Sequence, residues 1–357
     1  MTLFRGLKVT DLSTVLAGPS VATFFAELGA EVIKIENPTA GGDVTRHWKL
    51  ASESPDAEVS AYFASINFGK SYINLDLNNP DDRKTLDEHI RTSDILITNF
   101  KSGDDVKFGL TRDALRTLNP QLIHARIKGF TSDENRVAFD VVLQAETGFM
   151  YMNGTPESSP VKMPVALIDV LAAHHLKEGI LCALLERART NQGQVVEVSL
   201  EQAGISSLVN QASNYLMTGT IPKAAGSLHP NIAPYGETMT CSDGKQIVLA
   251  VGSDRQFAAL CDVTRCPHLI SDVRFASNQQ RVIHRKALAE ELSAAFQQRP
   301  RSEWMPVLIS RHIPAGAIYA MDEVMSNPAA RAMIREEEIG GQSTSRISAV
   351  AFHQSPL

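Results

Sequence analysis

Short apolar runs alternate with amphipathic segments along the first third of the chain. Strand-like runs occupy residues 7–13, 31–36, 71–77, 94–100 and 122–130. Segments with helical periodicity lie between them, at residues 20–30, 79–93 and 112–119. Repeated strand–helix units of this kind predict a parallel sheet covered by helices on both faces.

The texture changes in the second half of the chain. A long helix is expected over 169–188, and residues 192–217 predict a strand and a further helix. The stretch 218–237 is rich in glycine, proline and small residues, which is typical of a linker. Beyond it come a hairpin signalled by Asp243 and Gly244 and helices expected at 254–262, 284–298 and 301–311.

These elements predict two domains in a mixed α/β chain. A large, Rossmann-like domain with a parallel sheet is expected over residues 1–225, and residues 313–357 are expected to return to it. A smaller α+β domain is expected over 226–312. The length of 357 residues, about twice that of a usual domain, fits this division.

Composition excludes several kinds of partner. Hydrophobic residues make up 43% of the chain and charged residues 21%, as in an ordinary globular enzyme. The longest apolar stretches fall short of the roughly 20 residues that a bilayer requires. A net charge of −6 without a basic block argues against a nucleic-acid groove. We therefore expect neither a membrane nor a nucleic acid as a partner.

Cysteine usage favours a reducing compartment. The four cysteines are scattered, and four are too few for a disulfide framework in a chain of this length. The first residues lack the apolar core of a secretory signal, so a cytoplasmic location is expected. Cys261, Cys266 and His268 have no second ligand pair nearby, and no metal site is predicted.

The first strand–helix turn, "DLSTVLAGPS", resembles a dinucleotide-binding turn only in outline. Glu36 ends the second strand, where a ribose-binding carboxylate would lie. The turn contains only Gly18, so the G-x-G-x-x-G pattern is absent and a dinucleotide-dependent oxidoreductase is disfavoured. Because open α/β sheets bind ligands at the carboxyl ends of their strands, Val15, Leu16 and Ala17 remain candidates for lining a site.

A single carboxylate, Asp169, interrupts the apolar run "VALIDVLAA". An ionised aspartate among apolar side chains is unfavourable unless something binds it. Two interpretations follow from the residues alone: Asp169 caps the long helix through backbone amides, or it performs chemistry.

Several ordered motifs together resemble the class III coenzyme A transferases of the CaiB/BaiF type, which include formyl-CoA transferase, carnitine CoA-transferase and the α-methylacyl-CoA racemases. The matching stretches run from residue 6 to about 210. They include "GLKVTDLSTVLAGPSVATFFAELGAEVIKIENP", "NFGKSYINLDLNNP", "SDILITNFKSG", "FDVVLQAETGFM" and "ALIDVLAAHHLKEGILCALLERARTNQGQVVEVSLEQA". The segment "HPNIAPYGETMTCSDGKQIVLAV" is similar to the family's second domain.

The resemblance implies that Asp169 is the catalytic nucleophile, which attacks an acyl-CoA thioester to form a mixed anhydride and then an aspartyl-CoA thioester. This chemistry requires an ionised carboxylate shielded from water, and a helix N-terminus flanked by apolar residues is expected to supply both conditions. Coenzyme A and acyl-CoA are substrates, and no permanently bound cofactor is expected. The resemblance also implies a small carboxylic acid as second substrate and a homodimer of interlocked, ring-shaped subunits.

The family's coenzyme A contacts map onto twelve positions of this chain. They are Leu16, Ala17, Asn37, Leu75, Asn78, Asn99, Phe100, Lys107, Val137, Ala138, Phe139 and Asp140. Lys107 is the favoured phosphate partner because a phosphate requires a cation. Several relatives have an arginine where this chain has Asn37, and Arg46, Lys70 or Arg136 are candidates to compensate.

Two departures from the family narrow the function. Racemases have a histidine at the position of Phe139, and a phenyl ring cannot transfer a proton. The linker lacks the consecutive glycines of the formyl-CoA transferase lid, which disfavours formate and oxalate. A CoA-transferase acting on a dicarboxylic or similar small acid is therefore predicted. The alternatives are a racemase or isomerase on the same fold and a catalytically silent acyl-CoA-binding protein.

Overall fold

The computed structural model describes residues 2–132 and 136–355. The chain forms two compact units. The first comprises Met1–Asn153, Ser159–Lys223 and Ala329–Leu357, and the second comprises Gly154–Ser158 and Ala224–Pro328.

A six-stranded, fully parallel sheet forms the centre of the first unit. Its strands are β1 Lys8–Asp11, β2 Glu31–Glu36, β3 Lys70–Asn74, β4 Ile95–Thr98, β5 Ile123–Lys128 and β6 Val195–Ser199. The strand order is β3-β2-β1-β4-β5-β6, the order of a Rossmann-like sheet. The predicted parallel sheet is confirmed, and the order reverses between β1 and β4, where such sheets bind ligands.

The α-helices before residue 219 connect and flank these strands. They are α1 Ala17–Glu27, α2 Ala61–Ile66, α3 Pro80–Thr92, α4 Asp104–Lys107, α5 Arg112–Leu118, α6 Asp140–Glu146, α7 Phe149–Met152, α8 Leu167–Thr190, α9 Leu200–Ser206 and α10 Val209–Thr218. Two short 3₁₀ helices, Pro38–Ala40 and Val44–His47, follow β2.

Both faces of the sheet are covered by apolar side chains. On one face, α1 and α8 pack Phe25 and Leu176 against Ile97 and Ile123. On the other, α3 and α5 contribute Leu86, Ile90 and Leu115. Strand residues alternate between the two clusters, since successive side chains of a strand point to opposite faces. The central strand β4, with the sequence ILIT, is buried at all four positions, as expected for a strand covered on both faces.

The second unit is built on an antiparallel sheet of three strands, β7 Tyr235–Thr240, β8 Gln246–Ala250 and β9 Ala315–Ala317, in the order β7-β8-β9. Its helices are α11 Asp254–Val263, α12 His268–Ser271, α13 Asn278–Ile283, α14 Arg285–Phe296, α15 Arg301–Ser310 and α16 Met321–Ser326. Trp304, Phe296 and Phe275 are almost completely buried in its own apolar core.

The sequence predicts that the chain returns to the first unit at residue 313. This boundary is wrong by about one secondary-structure element. Ala315–Ala317 pairs with β8 and so extends the second unit's sheet. The first unit resumes only at Ala329. A three-residue strand contains too short a pattern to be recognised from the sequence, which explains the error.

The returning segment forms α17 Pro328–Ala332 and an antiparallel hairpin, β10 Ile334–Ile339 and β11 Gln342–Ile347. Glu27 of α1 anchors this segment: its carboxylate pairs with Arg346 and accepts hydrogen bonds from Ser348 Oγ at 2.6 Å and the Ala349 amide at 3.0 Å.

Within the described ranges, none of the helices has the length and apolar character needed to cross a membrane. All four cysteines are unpaired.

Candidate active site

Asp169 lines a pocket at the point where the strand order reverses. We call this cavity, of about 110 Å³, the Asp169 pocket. Its walls come from the segments after β1, β4 and β5 and from the starts of α6, α8 and α9. The lining residues are Thr14, Val15, Leu16, Ala17, Asn99, Ile127, Lys128, Gly129, Ala138, Phe139, Asp140, Asp169 and Leu200.

Asp169 lies inside the first turn of α8, and the capping interpretation of this residue is wrong. The helix begins at Leu167 with Ala166 at the N-cap position. The helix end is capped instead by Asp140, whose Oδ1 accepts a hydrogen bond from the Ile168 amide at 2.7 Å. Within residues 2–132 and 136–355, the Asp169 carboxylate has no hydrogen-bond partner. It is thus held by the packing of α8 and remains available to a ligand.

The surroundings of Asp169 favour the neutral acid. Burial and, to a smaller extent, the nearby charge of Asp140 together raise the pKa of this carboxyl from 3.8 to about 7. The expectation of a fully ionised carboxylate therefore needs correction, because the favourable end of α8 does not offset burial. A carboxylate with a raised pKa is also a stronger nucleophile once ionised.

The first strand–helix turn brings Leu16 and Ala17 into the Asp169 pocket. Asn99, which follows β4, fixes this turn from the neighbouring strand: its Oδ1 accepts from the Thr14 amide at 3.0 Å and its Nδ2 donates to the Thr14 carbonyl at 2.8 Å. The structure thus brings together seven of the predicted residues. They are Leu16, Ala17, Asn99, Ala138, Phe139, Asp140 and Asp169.

Gly129, directly after β5, forms the floor on which Ala138 lies. A Cβ added at Gly129 would come within 2.1 Å of the Ala138 Cβ. Only glycine therefore lets the segment leading into α6 approach β5 closely enough to place Phe139 and Asp140 in the pocket.

We expect Gly129→Ala to lower kcat/KM for acyl-CoA by about 10- to 100-fold, because displacement of the Ala138–Asp140 segment misplaces reacting groups by about 1 Å. Initial rates measure the effect. The double variant Gly129→Ala/Ala138→Gly moves the methyl group from one partner to the other and should recover most of the activity. Gly252→Ala, where an added Cβ meets only Gln256 Oε1 at 3.9 Å, is the control. A double variant as impaired as the single one would contradict this packing argument.

A second cavity, which we call the Asn37 pocket, adjoins the first and has a volume of about 230 Å³. Thr14 lines both cavities, so they are neighbours along the carboxyl edge of the sheet. Four predicted residues line the Asn37 pocket: Asn37, Leu75, Asn78 and Phe100. Its lining combines apolar side chains with the polar groups of Asn37 and Asn78, as small-ligand sites do.

Two predicted positions line neither cavity. Val137 is 64% exposed and lies just before the pocket-lining residues. Lys107 ends α4, and its Nζ lies 4.9 Å from the centre of the Phe108 ring, which lines the Asn37 pocket. Lys107 therefore lies beside the rim, where a flexible ammonium group can reach a bound phosphate.

Several relatives have an arginine at the position of Asn37, and three basic residues of this chain are candidates to replace it. Each of the three binds a carboxylate of the protein instead. Arg46 binds both carboxylate oxygens of Glu36, at 2.9 and 2.5 Å. This pair also occupies the carboxylate that a dinucleotide ribose would need. The Lys70 side chain is completely buried, with its Nζ 2.9 Å from Asp11 Oδ2. Arg136 pairs with Glu146. Compensation by Arg46 or Lys70 is thus ruled out in this arrangement.

Sequence reasoning missed Tyr62 of α2. Burial and the charges of Asp169 and Asp140 raise the pKa of its hydroxyl to about 12. The hydroxyl therefore stays protonated near Asp169 and can donate a hydrogen bond to an anionic ligand. The Tyr62 ring packs edge-on against Trp48, with 5.1 Å between ring centres. No local pattern marks these residues, since helix α2 is short and lies far from Asp169 in the sequence.

A Rossmann-order sheet with a buried carboxylate in a pocket at its switch point is typical of α/β proteins that bind a ligand at this edge. The family described as CoA-transferase family III matches residues 4–355. The succinate–glutarate CoA-transferase of Agrobacterium fabrum is 35% identical over 333 residues, which are 92% of this chain and 82% of that protein. The acetyl-CoA:oxalate CoA-transferase of Acetobacter aceti is 33% identical over 337 residues, 93% of this chain and 85% of that protein.

A solved structure shares the whole fold. The crystal structure of a CaiB/BaiF family protein from Brucella suis has a TM-score of 0.88 at 35% identity, covering 98% of this chain and 92% of that one. The chain belongs to CoA-transferase family III, so the resemblance seen in its motifs is confirmed. It is an enzyme that transfers coenzyme A between an acyl-CoA and a carboxylate.

Proposed function

We propose that Asp169 performs this transfer as a covalent nucleophile. The observation that carries the proposal is the buried Asp169 carboxylate, which has no hydrogen-bond partner among the described residues and lies in a pocket that Ala17, at the start of α1, also lines. An Asp169 oxygen attacks the thioester carbonyl carbon, the carbon–sulfur bond breaks, and the CoA thiolate leaves a mixed anhydride. The thiolate then attacks the aspartyl carbonyl carbon, which releases the donor carboxylate and forms an aspartyl-CoA thioester.

The second half of the reaction repeats these steps with the acceptor. The acceptor carboxylate attacks the aspartyl thioester and displaces the CoA thiolate, which gives a new mixed anhydride. The thiolate attacks the acceptor's acyl carbon, the new acyl-CoA leaves, and the Asp169 carboxylate is regenerated. Water hydrolyses each anhydride. Asp169 is only 8% exposed, and this burial protects the intermediates.

Coenzyme A is proposed to bind along the carboxyl edge of the sheet. The nucleotide portion fits the Asn37 pocket, with Leu75, Asn78 and Phe100 in its walls and Lys107 beside its rim. The thioester end then reaches the Asp169 pocket past Thr14, which lines both cavities. Phe139 and Asp140 line the acyl end.

The acceptor is proposed to be a small dicarboxylic acid. The pocket volume of about 110 Å³ suits a short acyl group. The named substrates of two similar enzymes, succinate with glutarate and oxalate, belong to the same chemical class. Phe139 lines the pocket where racemases have a histidine, so exchange of an α-proton is not expected.

The test is a panel of succinyl-, acetyl-, oxalyl- and butyryl-CoA donors against monocarboxylic and dicarboxylic acceptors, with products identified by mass. We expect transfer to dicarboxylates of four or five carbons. When the reactions are run in D₂O, we expect no deuterium uptake at the α-carbon of any donor. Transfer restricted to monocarboxylates would refute the proposed substrate class. Deuterium uptake without transfer would favour the racemase alternative, and consumption of no donor would favour the silent acyl-CoA-binding protein.

The pH dependence of kcat/KM should report the ionisation of Asp169. Because its pKa is raised to about 7, the ionised nucleophile accumulates as the pH rises, and kcat/KM should increase to a plateau above a midpoint near 7. Asp140→Asn removes the charge that adds to this shift but keeps an oxygen for the Ile168 amide, so it should move the midpoint to lower pH. Glu146→Gln removes a carboxylate from the same helix and should leave the midpoint in place. Equal profiles for all three proteins would contradict the assignment.

We also propose a homodimer of interlocked subunits in the cytoplasm. Large apolar side chains on α10 favour association, since Leu216 is 80% exposed and Met217 is 85% exposed. Four unpaired cysteines favour a reducing compartment. Light scattering at micromolar concentration measures the mass, and twice the chain mass of 38.9 kDa is expected.

A further inference from the structure

Val15 has a backbone conformation that its side chain disfavours. Its φ of +71° lies in the left-handed region, although valine is β-branched. Such a conformation is strained and persists only where the surroundings impose it. Val15 also lines the Asp169 pocket, so the strain lies in the candidate active site.

The backbone groups around Val15 are held by side chains from four directions. Lys34 Nζ of β2 donates to the Ser13 carbonyl at 2.7 Å. Asp11 Oδ1 accepts from the Ser13 amide at 3.0 Å, and Asn99 binds both polar groups of Thr14. Asp43 Oδ1 lies 3.4 Å from the Val15 amide and accepts its hydrogen bond. The conformation of this turn is therefore fixed from outside the turn itself.

A completely buried group of four charges lies behind the turn. Lys34 Nζ is 3.0 Å from Asp43 Oδ2 and 4.0 Å from Asp11 Oδ2, and Lys70 Nζ is 2.9 Å from Asp11 Oδ2. The four side chains are 0% exposed. Buried ion pairs are costly to desolvate and contribute little net stability, so their value lies in defining geometry.

The turn ends at the first backbone amides of α1. The Ser20 amide donates to the Leu16 carbonyl at 2.9 Å, so the amides before it lie outside the helical hydrogen-bond series of α1. Across residues 2–132 and 136–355, the amides of Ala17 and Gly18 have no hydrogen-bond partner. A Cβ at Gly18 would lie 2.2 Å from Ser13 Oγ, which shows how closely the turn packs onto this helix end.

We infer that Lys34 and Asp43 are positioning residues that hold the first turn so that the amide of Ala17, which lines the Asp169 pocket, faces the oxygen that becomes negative when Asp169 attacks a thioester. This inference rests on the proposed function of Asp169. Attack on a thioester places negative charge on the carbonyl oxygen, and pre-positioned amides stabilise that charge more than they stabilise the neutral substrate. Lys34 lines neither pocket, so it acts only through the turn.

The test compares Lys34→Met/Asp43→Asn with the wild-type enzyme. The double variant removes both members of one ion pair, leaves no unpaired buried charge from that pair, and keeps an oxygen near the Val15 amide. We expect kcat to fall by about 10- to 100-fold at saturating acyl-CoA, because loss of one aligned amide donor costs up to about 10³-fold. KM for acyl-CoA should stay within about twofold. Since Asp43 lines the Asn37 pocket, CoA affinity is measured separately by calorimetry.

Arg187→Met is the matched control. Arg187 also pairs with a carboxylate, Asp94 Oδ1 at 2.9 Å, and donates to a carbonyl, that of Gln121 at 3.2 Å, but it lies outside both pockets. It should lose thermal stability and retain kcat per folded molecule. If the double variant behaves like this control, the inference is overturned. Should the double variant not fold, Asp43→Asn alone is used, and an unchanged kcat in that variant also overturns it.

Failure of the inference is distinguishable from failure of the proposed function. A wild-type enzyme that turns over without forming an acyl adduct on Asp169 refutes the nucleophile and leaves the effect of Lys34 unexplained. An enzyme that forms the adduct at the same rate in wild-type and double-variant protein refutes only the positioning role.

Discussion

Asp169→Ala should lower kcat by at least about a thousandfold, because removal of a covalent nucleophile leaves only binding and electrostatic effects. The affinity for free coenzyme A should change little, since the nucleotide portion is proposed to bind in the Asn37 pocket, which Asp169 does not line. Steady-state rates at saturating donor and acceptor measure the loss, and calorimetry measures the CoA affinity. Asp169→Asn should behave alike, provided that the preparation is checked by mass for deamidation to aspartate.

Asp113→Asn is a suitable control for this comparison. Asp113 is an exposed carboxylate in the first turn of α5, and it lies outside both pockets. Its substitution should leave the rate within about twofold of the wild type. An Asp169→Ala enzyme that retains transfer activity within tenfold of the wild type would refute the nucleophilic role.

The second large effect concerns stability and has the opposite direction. Asp169→Asn should increase the free energy of unfolding at pH 8. The pKa of Asp169 is about 7 in the folded protein and near 3.8 in the unfolded chain, so the unfolded state loses this proton first as the pH rises. Folding of the wild type is therefore weakened progressively between pH 4 and pH 7. At about 1.4 kcal/mol per pKa unit, the weakening amounts to at most about 4 kcal/mol.

The asparagine variant has no ionisable group at this position, so its free energy of unfolding should not fall for this reason as the pH rises. Urea unfolding followed at pH 4 and pH 8 measures the difference. The gain of the variant over the wild type should be larger at pH 8 by about 1–4 kcal/mol. Asp113→Asn should show no comparable dependence. A gain of equal size at both pH values would show that polarity or packing, and not ionisation, distinguishes the two side chains.

The local elements of the fold follow from sequence patterns. The strand predicted at 31–36 is observed as Glu31–Glu36, because its β-branched residues Val32, Ile33 and Ile35 favour an extended chain. The helix predicted at 79–93 is observed as Pro80–Thr92, with Asn79 Oδ1 accepting from the Asp81 amide. In both elements the signal lies within a few residues and needs no tertiary information.

The parts of the site that sequence reasoning missed depend on contacts between distant segments. Asp140 caps α8 across 28 positions of sequence, and this contact removed the capping alternative for Asp169. In the sequence, Lys34 is a single charged residue within a predicted strand, and nothing nearby indicates its partners. The folded sheet places its ammonium group beside Asp43 and Asp11. The raised pKa of Asp169 likewise depends on burial that no local pattern reveals.

The most direct test of the account is to trap the acyl group on the enzyme. Wild-type protein is mixed with acyl-CoA in the absence of an acceptor, treated with hydroxylamine, digested and analysed by mass spectrometry. The account predicts an aspartyl hydroxamate on the peptide that contains Asp169, and its absence when acyl-CoA is omitted. A modified residue elsewhere, or an unmodified Asp169 in a preparation that turns over, would contradict the central claim.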